Sequence, residues 1–594
     1  MRLVVLVLCL AGCAASESSS DDWPVTGGEP GNSRYSTLDQ IDTSNVAQLR
    51  VAWTYHTGDL PPDGQGEIQA TPIVVSGVLY TTTPALAVIA LRADSGTLIW
   101  KFDPRTTHDA PRTFVTHVNR GVVYWASGGD HRILCTAARK LYALDARTGR
   151  PIPTFGDSGS TDLGAGLSRD IGDAYLVATS PGAIYRDLLI QGMRVGEGEG
   201  SAPGDVRAYD VRSGAIRWTF HTIPHPGEFG DETWPAAAWQ TAGGANSWAG
   251  MSVDVRRGIV YIPTGSATPD FYGGARLGAN LFANSLVALD ARTGKWLWHF
   301  QTVHHDLWDR DLPAAPNLVT LTRHSWRIDA VAQITKSGFV FLFDRQTGQP
   351  LFPIEERGVP ASDLRGEQAW PTQPFPVKPA PFARQTMIES AVTDVKRFRA
   401  LRHDGLFMPP SREGSIVLPG FDGGGEWGGA AVDPETAVLY VNASDVPWIA
   451  AMRESVKLPV ATGAVRAGSG VYAAVCASCH GADRRGREHA PSLLGVQARL
   501  SAEQVQGVIE RGRGFMPSFA GLPEAEKRAL IEYLGYATAG SCGRRRCLRP
   551  AMRRRAHMRW MGSSMSWWRR VAVNWDRSRA TRTLRSRYRS QGRP

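Results

Sequence analysis

A recurring sequence unit restricts the fold of this chain more than any other feature. The unit is an alternating strand, a turn of Asp, Ser or Thr, and Gly, and in most copies a second strand with Trp. Copies lie at residues 90–100, 143–149, 208–218 and 288–298, with a variant at 342–348. Gly in such a turn supplies the positive φ angle that joins antiparallel strands. The turn glycines are 53, 65, 80 and 54 residues apart, which suits four-stranded sheets with variable loops and predicts a β-propeller.

The composition agrees with a sheet-rich protein and argues against a nucleic-acid partner. The 594 residues include 63 Gly, 38 Pro and 19 Trp, which favours short strands and tight turns. The formal charge is +10, but residues 541–594 hold 17 Arg, no Lys and one acidic residue, Asp576, and so carry +16. The other 540 residues therefore carry −6, and we predict no nucleic-acid binding.

A haem-attachment motif follows the repeats. Cys476, Cys479 and His480 form C-x-x-C-H, in which the two thiols bind haem covalently and the imidazole binds its iron. Met516, 36 residues after His480, is the candidate for the second axial ligand. A zinc site is the alternative, but zinc needs two further ligands and His489 is the only nearby candidate. The motif therefore predicts that electrons pass through this protein.

The residues around this motif predict a small helical domain. Apolar periodicity indicates a short helix over 504–511 and a longer amphipathic one over 524–534. With the order of His480 and Met516, residues 464–540 resemble a class I cytochrome c domain, which is all-α.

The start of the chain predicts export. An apolar run over residues 3–10 is too short to span a bilayer stably and is typical of a signal peptide. Residues 10–13 resemble a lipobox, so we expect a lipoprotein-type signal over 1–13, a lipid on Cys13 and a tether over 14–30. Ordinary cleavage near Ala14 is the alternative. The expected location is the periplasm, with the protein anchored to the membrane by the lipid.

The repeats and one loop resemble the quinoprotein dehydrogenases. In that family, eight blades with docked tryptophans surround pyrroloquinoline quinone (PQQ), although non-enzymatic propellers of outer-membrane assembly carry similar repeats. Residues 299–313 contain two His and three Asp within eight residues, and they resemble the active-site loop of quinoprotein glucose dehydrogenases. The resemblance implies that Asp309 is the catalytic base, that Lys336 contacts the quinone oxygens, and that Asp306 orients the loop.

The same resemblance implies further contacts. The expected PQQ contacts are Gln69, Arg120 to a carboxylate, Trp248 under the quinone ring, and Asn442 from a later blade. A calcium ion is expected between PQQ and the protein, with Glu197, Ser266 and Asp309 as its ligands. Family members have Asn where this chain has Ser266, and Glu199 is an alternative to Glu197.

Together these features predict an all-β propeller of the eight-bladed type over 31–455, incomplete at its C-terminal end, followed by the cytochrome domain. We expect an oxidoreductase that oxidises a CH–OH group of an aldose such as glucose, with PQQ, haem c and Ca²⁺ as cofactors. Electrons would pass from PQQ to haem c and on to a quinone or another acceptor. The alternatives are a PQQ-dependent alcohol dehydrogenase and a non-catalytic propeller with an electron-carrier domain.

The C-terminal tail does not resemble the rest of the chain. Residues 541–594 contain no repeat unit and no alternating strand, and Arg without Lys is what an out-of-frame reading of a GC-rich gene would give. We therefore expect 541–594 to be disordered or frame-shifted, with the closing blade lost. A genuine basic tail that binds acidic lipid or a partner is the alternative.

Overall fold

Antiparallel sheets are the main regular secondary structure of the computed structural model. The model describes residues 22–60, 67–107, 118–172, 174–323, 326–452, 464–481, 484–486, 490–512, 516, 519, 522, 524–536 and 569–574. Residues 1–21, with Cys13 and the predicted signal, lie outside this part, as does most of the tail. No helix in the described ranges is long and apolar enough to cross a bilayer.

The first four repeats each form a four-stranded sheet whose strands follow one another along the chain. The first two sheets contain β1 (Ile73–Val75), β2 (Val78–Thr82), β3 (Val88–Arg92) and β4 (Leu98–Phe102), then β5 (Val123–Ser127), β6 (Asp130–Ala137), β7 (Lys140–Asp145) and β8 (Ser160–Asp162). The third sheet contains β10 (Ala183–Tyr185), β11 (Leu188–Gln191), β13 (Val206–Asp210) and β14 (Ile216–Phe220), beside an accessory pair of β9 (Leu176–Val177) and β12 (Arg194–Val195).

The fourth sheet contains β16 (Ser252–Asp254), β17 (Ile259–Pro263), β19 (Ser285–Asp290) and β20 (Trp296–Gln301), beside a pair of β15 (Gly243–Gly244) and β18 (Ala267–Thr268). A three-stranded sheet follows, with β21 (Asn317–Arg323), β22 (Trp326–Ile334) and β23 (Val340–Asp344). The sixth contains β27 (Gly424–Asp433), β28 (Val438–Ser444) and β30 (Arg569–Asn574). Two further pairs are β24 (Ile354–Gly358) with β25 (Thr372–Pro376), and β26 (Ser415–Val417) with β29 (Trp448–Ala450).

The repeat turns have the geometry that the sequence predicts. Gly294 has a φ of +72°, and its N–H donates to the carbonyl of Asp290 at 2.8 Å. The Asp290 carboxylate accepts hydrogen bonds from the N–H and the hydroxyl of Thr293, both at 2.8 Å. The same arrangement recurs at Asp145 and at Asp344. The turn sequence therefore encodes its own conformation.

The tryptophans of three repeats dock on the turn of the next sheet. The Trp218 indole N–H donates to the carbonyl of Ala291 at 3.2 Å, and its ring covers Gly294. Trp100 and Trp298 make the same contacts with the next turns along the chain. The hydrophobic clusters likewise join residues of neighbouring sheets. The sheets are therefore blades that pack face to face, and the predicted propeller is confirmed.

We expect Gly294→Ala to destabilise the protein by about 2–4 kcal/mol, because the methyl group adds overpacking to the cost of a positive φ. A Cβ at this position would lie 2.6 Å from ring atoms of Trp218. Gly77 is the matched control, since its φ is +76° and a Cβ there would meet nothing within 4 Å. Urea unfolding should show a smaller loss for Gly77→Ala, about 1–2 kcal/mol. Equal losses in the two variants would contradict the docking contact.

The segment before the first blade is not a tether along its whole predicted length of 14–30. Trp23 pairs with Val74 of β1 through two hydrogen bonds of 2.9 and 2.8 Å. The carbonyl of Pro30 accepts from the N–H of Val253, and that of Gly31 accepts from the N–H of Leu318, both at 2.8 Å. The predicted tether is therefore wrong from Trp23 onward, because the backbone here pairs with the first strands of several blades.

The tail supplies one strand, which the sequence did not predict. β30 pairs antiparallel with β28, with Val571 opposite Val441. The expectation of a tail without strands is wrong at this place. The segment before the first blade also contains a docked tryptophan, because Trp53 packs on Gly96. Residues 50–57 nevertheless belong to no strand, and Val51 is 83% exposed. The frame-shift hypothesis and the lost closing blade stay predictions.

The second domain is helical, as predicted. It contains α3 (Ala464–Val471), a π-helix (Tyr472–Cys476), α4 (Ala477–His480), α5 (Ala502–Arg511) and α6 (Glu524–Tyr533); two short helices, α1 (Ala238–Thr241) and α2 (Val395–Arg399), lie in propeller loops. α5 begins two residues before the predicted start because Ser501 and Gln504 form a capping box. The core of the domain joins Tyr472, Ile509 and Leu530.

Candidate active site

Asp306 organises the loop that follows β20. Its carboxylate accepts the backbone N–H of Trp308 at 2.9 Å and that of Arg310 at 2.6 Å. The Asn284 amide donates to the same carboxylate at 3.0 Å, and the Ser266 hydroxyl also donates to it. Asp306 is 2% exposed, so its carboxylate is hydrogen-bonded by groups of the protein and not by bulk water. This geometry agrees with the predicted loop-orienting role.

A buried contact between His305 and Glu367 holds the same loop. His305 has a φ of +44°, and its ring nitrogens lie 2.8 Å from the carbonyl of Gly278 and 2.8 Å from the Glu367 carboxylate. Both side chains of the pair are 0% exposed. Glu367 also accepts the N–H groups of Gly273 and Gln368. No sequence pattern marks Glu367, which is 62 residues from its partner.

Asp309 and Lys336 meet at the end of this loop. The Lys336 ammonium donates to the Asp309 carboxylate at 3.0 Å and lies 3.7 Å from that of Asp311. Asp309 has a φ of +55°, a strained conformation that is frequent at functional sites. Burial raises the pKa of Asp309 even against the charge of Lys336, so this carboxylate is a stronger base than a solvated one. Burial alone would lower the pKa of Lys336, but the charges of Asp309 and Asp311 raise it, which keeps the ammonium protonated.

Both residues line a cavity of about 240 Å³. Six residues that the sequence predicted for cofactor, metal or catalysis lie on its wall: Arg120, Glu197, Trp248, Ser266, Asp309 and Lys336. They come from four different blades and from the loops between them. The fold thus joins residues that are up to 216 positions apart in the chain, which supports the sequence-based selection.

Two tryptophans give the cavity flat aromatic surfaces. The Trp248 indole N–H donates to Asp311 at 2.7 Å, which fixes the plane of the ring. The Arg120 guanidinium lies 5.4 Å from the Trp248 ring centroid and 4.9 Å from that of Trp427. A ring next to cations suits a flat, anionic ligand.

Arg120 has capacity for an anion. Its guanidinium donates to the hydroxyls of Thr179 at 2.9 Å and Ser180 at 3.5 Å, and its buried Nε has no hydrogen-bond partner among the described residues. Burial, and next the charge of Arg194, lower the pKa of Arg120 to about 10. The described residues place no carboxylate within ion-pair distance of it, so a ligand carboxylate would satisfy it.

Two predicted PQQ contacts are not on the wall of this cavity. Asn442 is exposed on β28, on the strand face opposite to the buried Val441 and Ala443. The blade contributes to this cavity from β27, which precedes β28 in the sheet, and the PQQ contact of Asn442 stays a prediction. Gln69 lines an adjoining cavity of about 430 Å³, whose wall shares Arg120 and Trp427 with the first.

Several wall residues were not selected from the sequence. They are Arg194, Asp270, Asp311, Glu426 and Trp427. Asp311 could have been found, because it belongs to the same Asp-rich loop. Glu426 and Trp427 lie in a Gly-rich stretch of β27, and burial raises the pKa of Glu426 to about 7.

The predicted calcium ligands are not assembled as a set. The Ser266 hydroxyl donates to Asp306 and accepts from the Asn284 amide at 3.1 Å, and Glu197 pairs with Arg194 at 3.4 Å. Within the described ranges no three acidic, His or Cys side chains are grouped to hold a metal. Hard oxygen donors are nevertheless abundant, and burial with the charge of Asp309 raises the pKa of Asp270.

Three of the predicted haem-binding residues, Cys476, His480 and Met516, are buried or partly buried in the helical domain. Cys476 and His480 are 8% and 5% exposed, whereas Cys479 is exposed. The His480 Nδ1 lies 2.9 Å from the carbonyl of Pro491, which leaves Nε2 for iron. Met516 packs against the cluster that contains Cys476 and Leu530. These residues fit a haem that is bound between His480 and Met516.

Known proteins share both parts of this chain. Residues 23–477 match the family described as glucose/ethanol/alcohol dehydrogenase, beta-propeller domain, and residues 463–534 match cytochrome C oxidase, cbb3-type, subunit III. Quinoprotein glucose dehydrogenase A of Acinetobacter calcoaceticus is 33% identical over 472 residues, which are 73% of this chain and 58% of the relative. Quinoprotein glucose dehydrogenase of Escherichia coli (strain K12) is 34% identical over 464 residues, which are 73% and 57%. The chain thus spans less than two thirds of the length of these relatives.

Solved structures agree with the fold. The quinohemoprotein alcohol dehydrogenase of Comamonas testosteroni superposes with a TM-score of 0.54 at 25% identity, covering 72% of this chain and 58% of its own. The quinohemoprotein alcohol dehydrogenase ADHIIG of Pseudomonas putida HK5 has a TM-score of 0.60 at 20% identity and covers 87% and 95%. The second likeness shows the fold alone. With its propeller, its haem motif and these relatives, the chain belongs to the PQQ-dependent glucose/ethanol/alcohol dehydrogenase family.

Proposed function

We propose that this protein oxidises a CH–OH group of an aldose such as glucose with PQQ, and that electrons pass to haem c and then to a quinone or another acceptor. One observation carries the proposal: the Asp309 carboxylate and the Lys336 ammonium lie 3.0 Å apart on the wall that also holds Trp248. A non-catalytic propeller has no need for a base, a cation and an aromatic surface in one cavity.

Each of four side chains has a separate role in the proposed reaction. PQQ, when bound, supplies an electrophilic carbonyl that accepts hydride. Asp309 takes the proton of the substrate hydroxyl, and its raised pKa suits this role. Lys336 holds a positive charge beside the reacting oxygens, where it stabilises developing negative charge. Trp248 offers its face to the cofactor ring, and Arg120 offers its guanidinium to a carboxylate.

Calcium is part of the proposal. The cavity offers the carboxylates of Glu197, Asp270, Asp309 and Asp311, and oxygen is the ligand that Ca²⁺ prefers. The raised pKa values of Asp270 and Asp309 reflect burial and mutual repulsion, which a divalent cation would relieve. No step of the reaction is assigned to the ion.

A substrate panel tests this function. The protein, reconstituted with PQQ and Ca²⁺, should reduce an artificial dye with glucose as donor, and kcat/KM should be higher for aldoses than for primary or secondary alcohols. The resemblance of the loop over 299–313 to glucose dehydrogenases favours a sugar as the substrate. Relatives named quinate, glycerol and alcohol dehydrogenases make another polyol or an alcohol the alternative. Higher kcat/KM with simple alcohols would contradict the sugar, and no PQQ-dependent turnover would contradict the function.

Met516→Ala should leave the haem attached through Cys476 and Cys479 but lower its reduction potential, because the thioether ligand is lost. A potentiometric titration would measure the change. Met387→Ala is the control, since Met387 packs in a propeller cluster and its loss should leave the potential unchanged. An unchanged potential in Met516→Ala would point to another sixth ligand.

Export and a lipid on Cys13 complete the proposal. Haem is attached to C-x-x-C-H outside the cytoplasm, and the apolar leader supports that location. A periplasmic enzyme held at the membrane would lie close to quinones that can accept its electrons.

A further inference from the structure

The cavity holds three cations with unequal partners. Lys336 is paired with two carboxylates, at 3.0 and 3.7 Å. Arg194 pairs with Glu197 at the long distance of 3.4 Å, and the Glu197 side chain is 70% exposed. Among the described residues, the side-chain hydrogen bonds of Arg120 go to the hydroxyls of Thr179 and Ser180. The two arginines are therefore the cations of this cavity with which a bound anion would pair.

Arg194 is placed to act with Arg120. It lies on β12, whose pairing with β9 fixes the backbone, and its guanidinium lies 5.9 Å from the ring of Tyr175. Its charge lowers the pKa of Arg120, so the two guanidinium groups repel each other within one cavity. An anion bound between them would remove this repulsion and satisfy the buried Nε of Arg120.

We propose that Arg194 and Arg120 form a two-guanidinium site for carboxylates of the molecule bound in this cavity. The inference rests on the proposed function, because PQQ is a tricarboxylate and some substrates of the family carry a carboxylate. The shared chemistry is a carboxylate, and the cofactor and the substrate are its two sources.

The first experiment measures PQQ binding to the apoprotein by quenching of tryptophan fluorescence. Arg194→Gln should raise the Kd for PQQ by about 10- to 100-fold, and Arg194→Lys should restore part of the loss. The trimethyl ester of PQQ, which lacks the charges, should bind wild type and Arg194→Gln equally. Arg217→Gln is the matched control, because Arg217 has a similar long pair, 3.5 Å to Asp210, outside the cavity.

The second experiment separates the two sources. If the carboxylate belongs to the substrate, Arg194→Gln should leave the Kd for PQQ unchanged and raise KM for quinate, a carboxylated polyol, but not for glucose. An unchanged Kd together with unchanged KM values would overturn the two-guanidinium site but leave the proposed function standing. A wild-type protein that does not bind PQQ would overturn the proposed function and this inference with it.

Discussion

Asp309→Asn should lower kcat by roughly 10²- to 10⁴-fold while PQQ stays bound. The amide has nearly the shape of the carboxylate but cannot take the proton of the substrate hydroxyl. It can still accept a hydrogen bond from Lys336, which lies 3.0 Å from the carboxylate in the wild type. Turnover with saturating substrate and PQQ binding by fluorescence would be measured on the same preparation.

The control for this variant is Asp187→Asn. Asp187 pairs with Arg212 at 2.6 Å at the surface and lies outside the cavity wall, so kcat should stay near the wild-type value. Near-normal turnover in Asp309→Asn would remove Asp309 from the mechanism. Loss of PQQ binding together with kcat would show instead that Asp309 holds the cofactor.

His305→Ala should cost about 3–5 kcal/mol of folding free energy, because it leaves the Glu367 carboxylate buried without its partner. The pair is 0% exposed on both sides, so water cannot replace the lost contact. Since His305 lies four residues before Asp309, kcat should fall as well, through a displaced loop. Urea unfolding and steady-state kinetics would measure the two effects.

The neighbouring pair supplies the control. His304 lies 3.2 Å from Glu356, whose side chain is 51% exposed, and such pairs contribute about 0–1 kcal/mol. His304→Ala should therefore change stability little. A loss of stability in His304→Ala equal to that in His305→Ala would contradict the importance of the buried pair.

The buried pair of His305 and Glu367 predicts a pH dependence of stability. Burial would raise the pKa of Glu367, but the hydrogen bond from His305 and the backbone N–H of Gly273 outweigh burial and lower it. The folded pKa is below the unfolded one, so the stabilisation is present above the unfolded pKa and is lost as pH falls through the folded pKa. Glu367→Gln should remove this loss in acid, as unfolding at several pH values would show.

The blades could be predicted because their information is local. A turn such as 290–294 contains the Asp that accepts its hydrogen bonds and the Gly that takes its positive φ. Two helices of the cytochrome domain, α5 and α6, were predicted from short-range periodicity, with an error of two residues where Ser501 caps α5. Such elements depend on neighbours within a few residues.

The wall of the cavity could be predicted only in part. Arg120, Trp248 and Lys336 were found by resemblance, and the structure brings them together. Asn442 does not line this cavity, because the residue that faces the cavity depends on which strand of the blade lies nearest to it. Glu426 and Arg194 carry no local pattern that marks them as wall residues.

The sequence by itself determined the blade unit, the haem motif and the chemistry of the loop around Asp309, since each depends on residues that are close together in the chain. Only the tertiary structure decided which side chains share the cavity, that Glu367 holds the loop, and that Arg194 lies beside Arg120. His305 and Glu367 are 62 positions apart, and Arg120 and Lys336 on the cavity wall are 216 apart, so their geometry follows from the packing of one blade on the next.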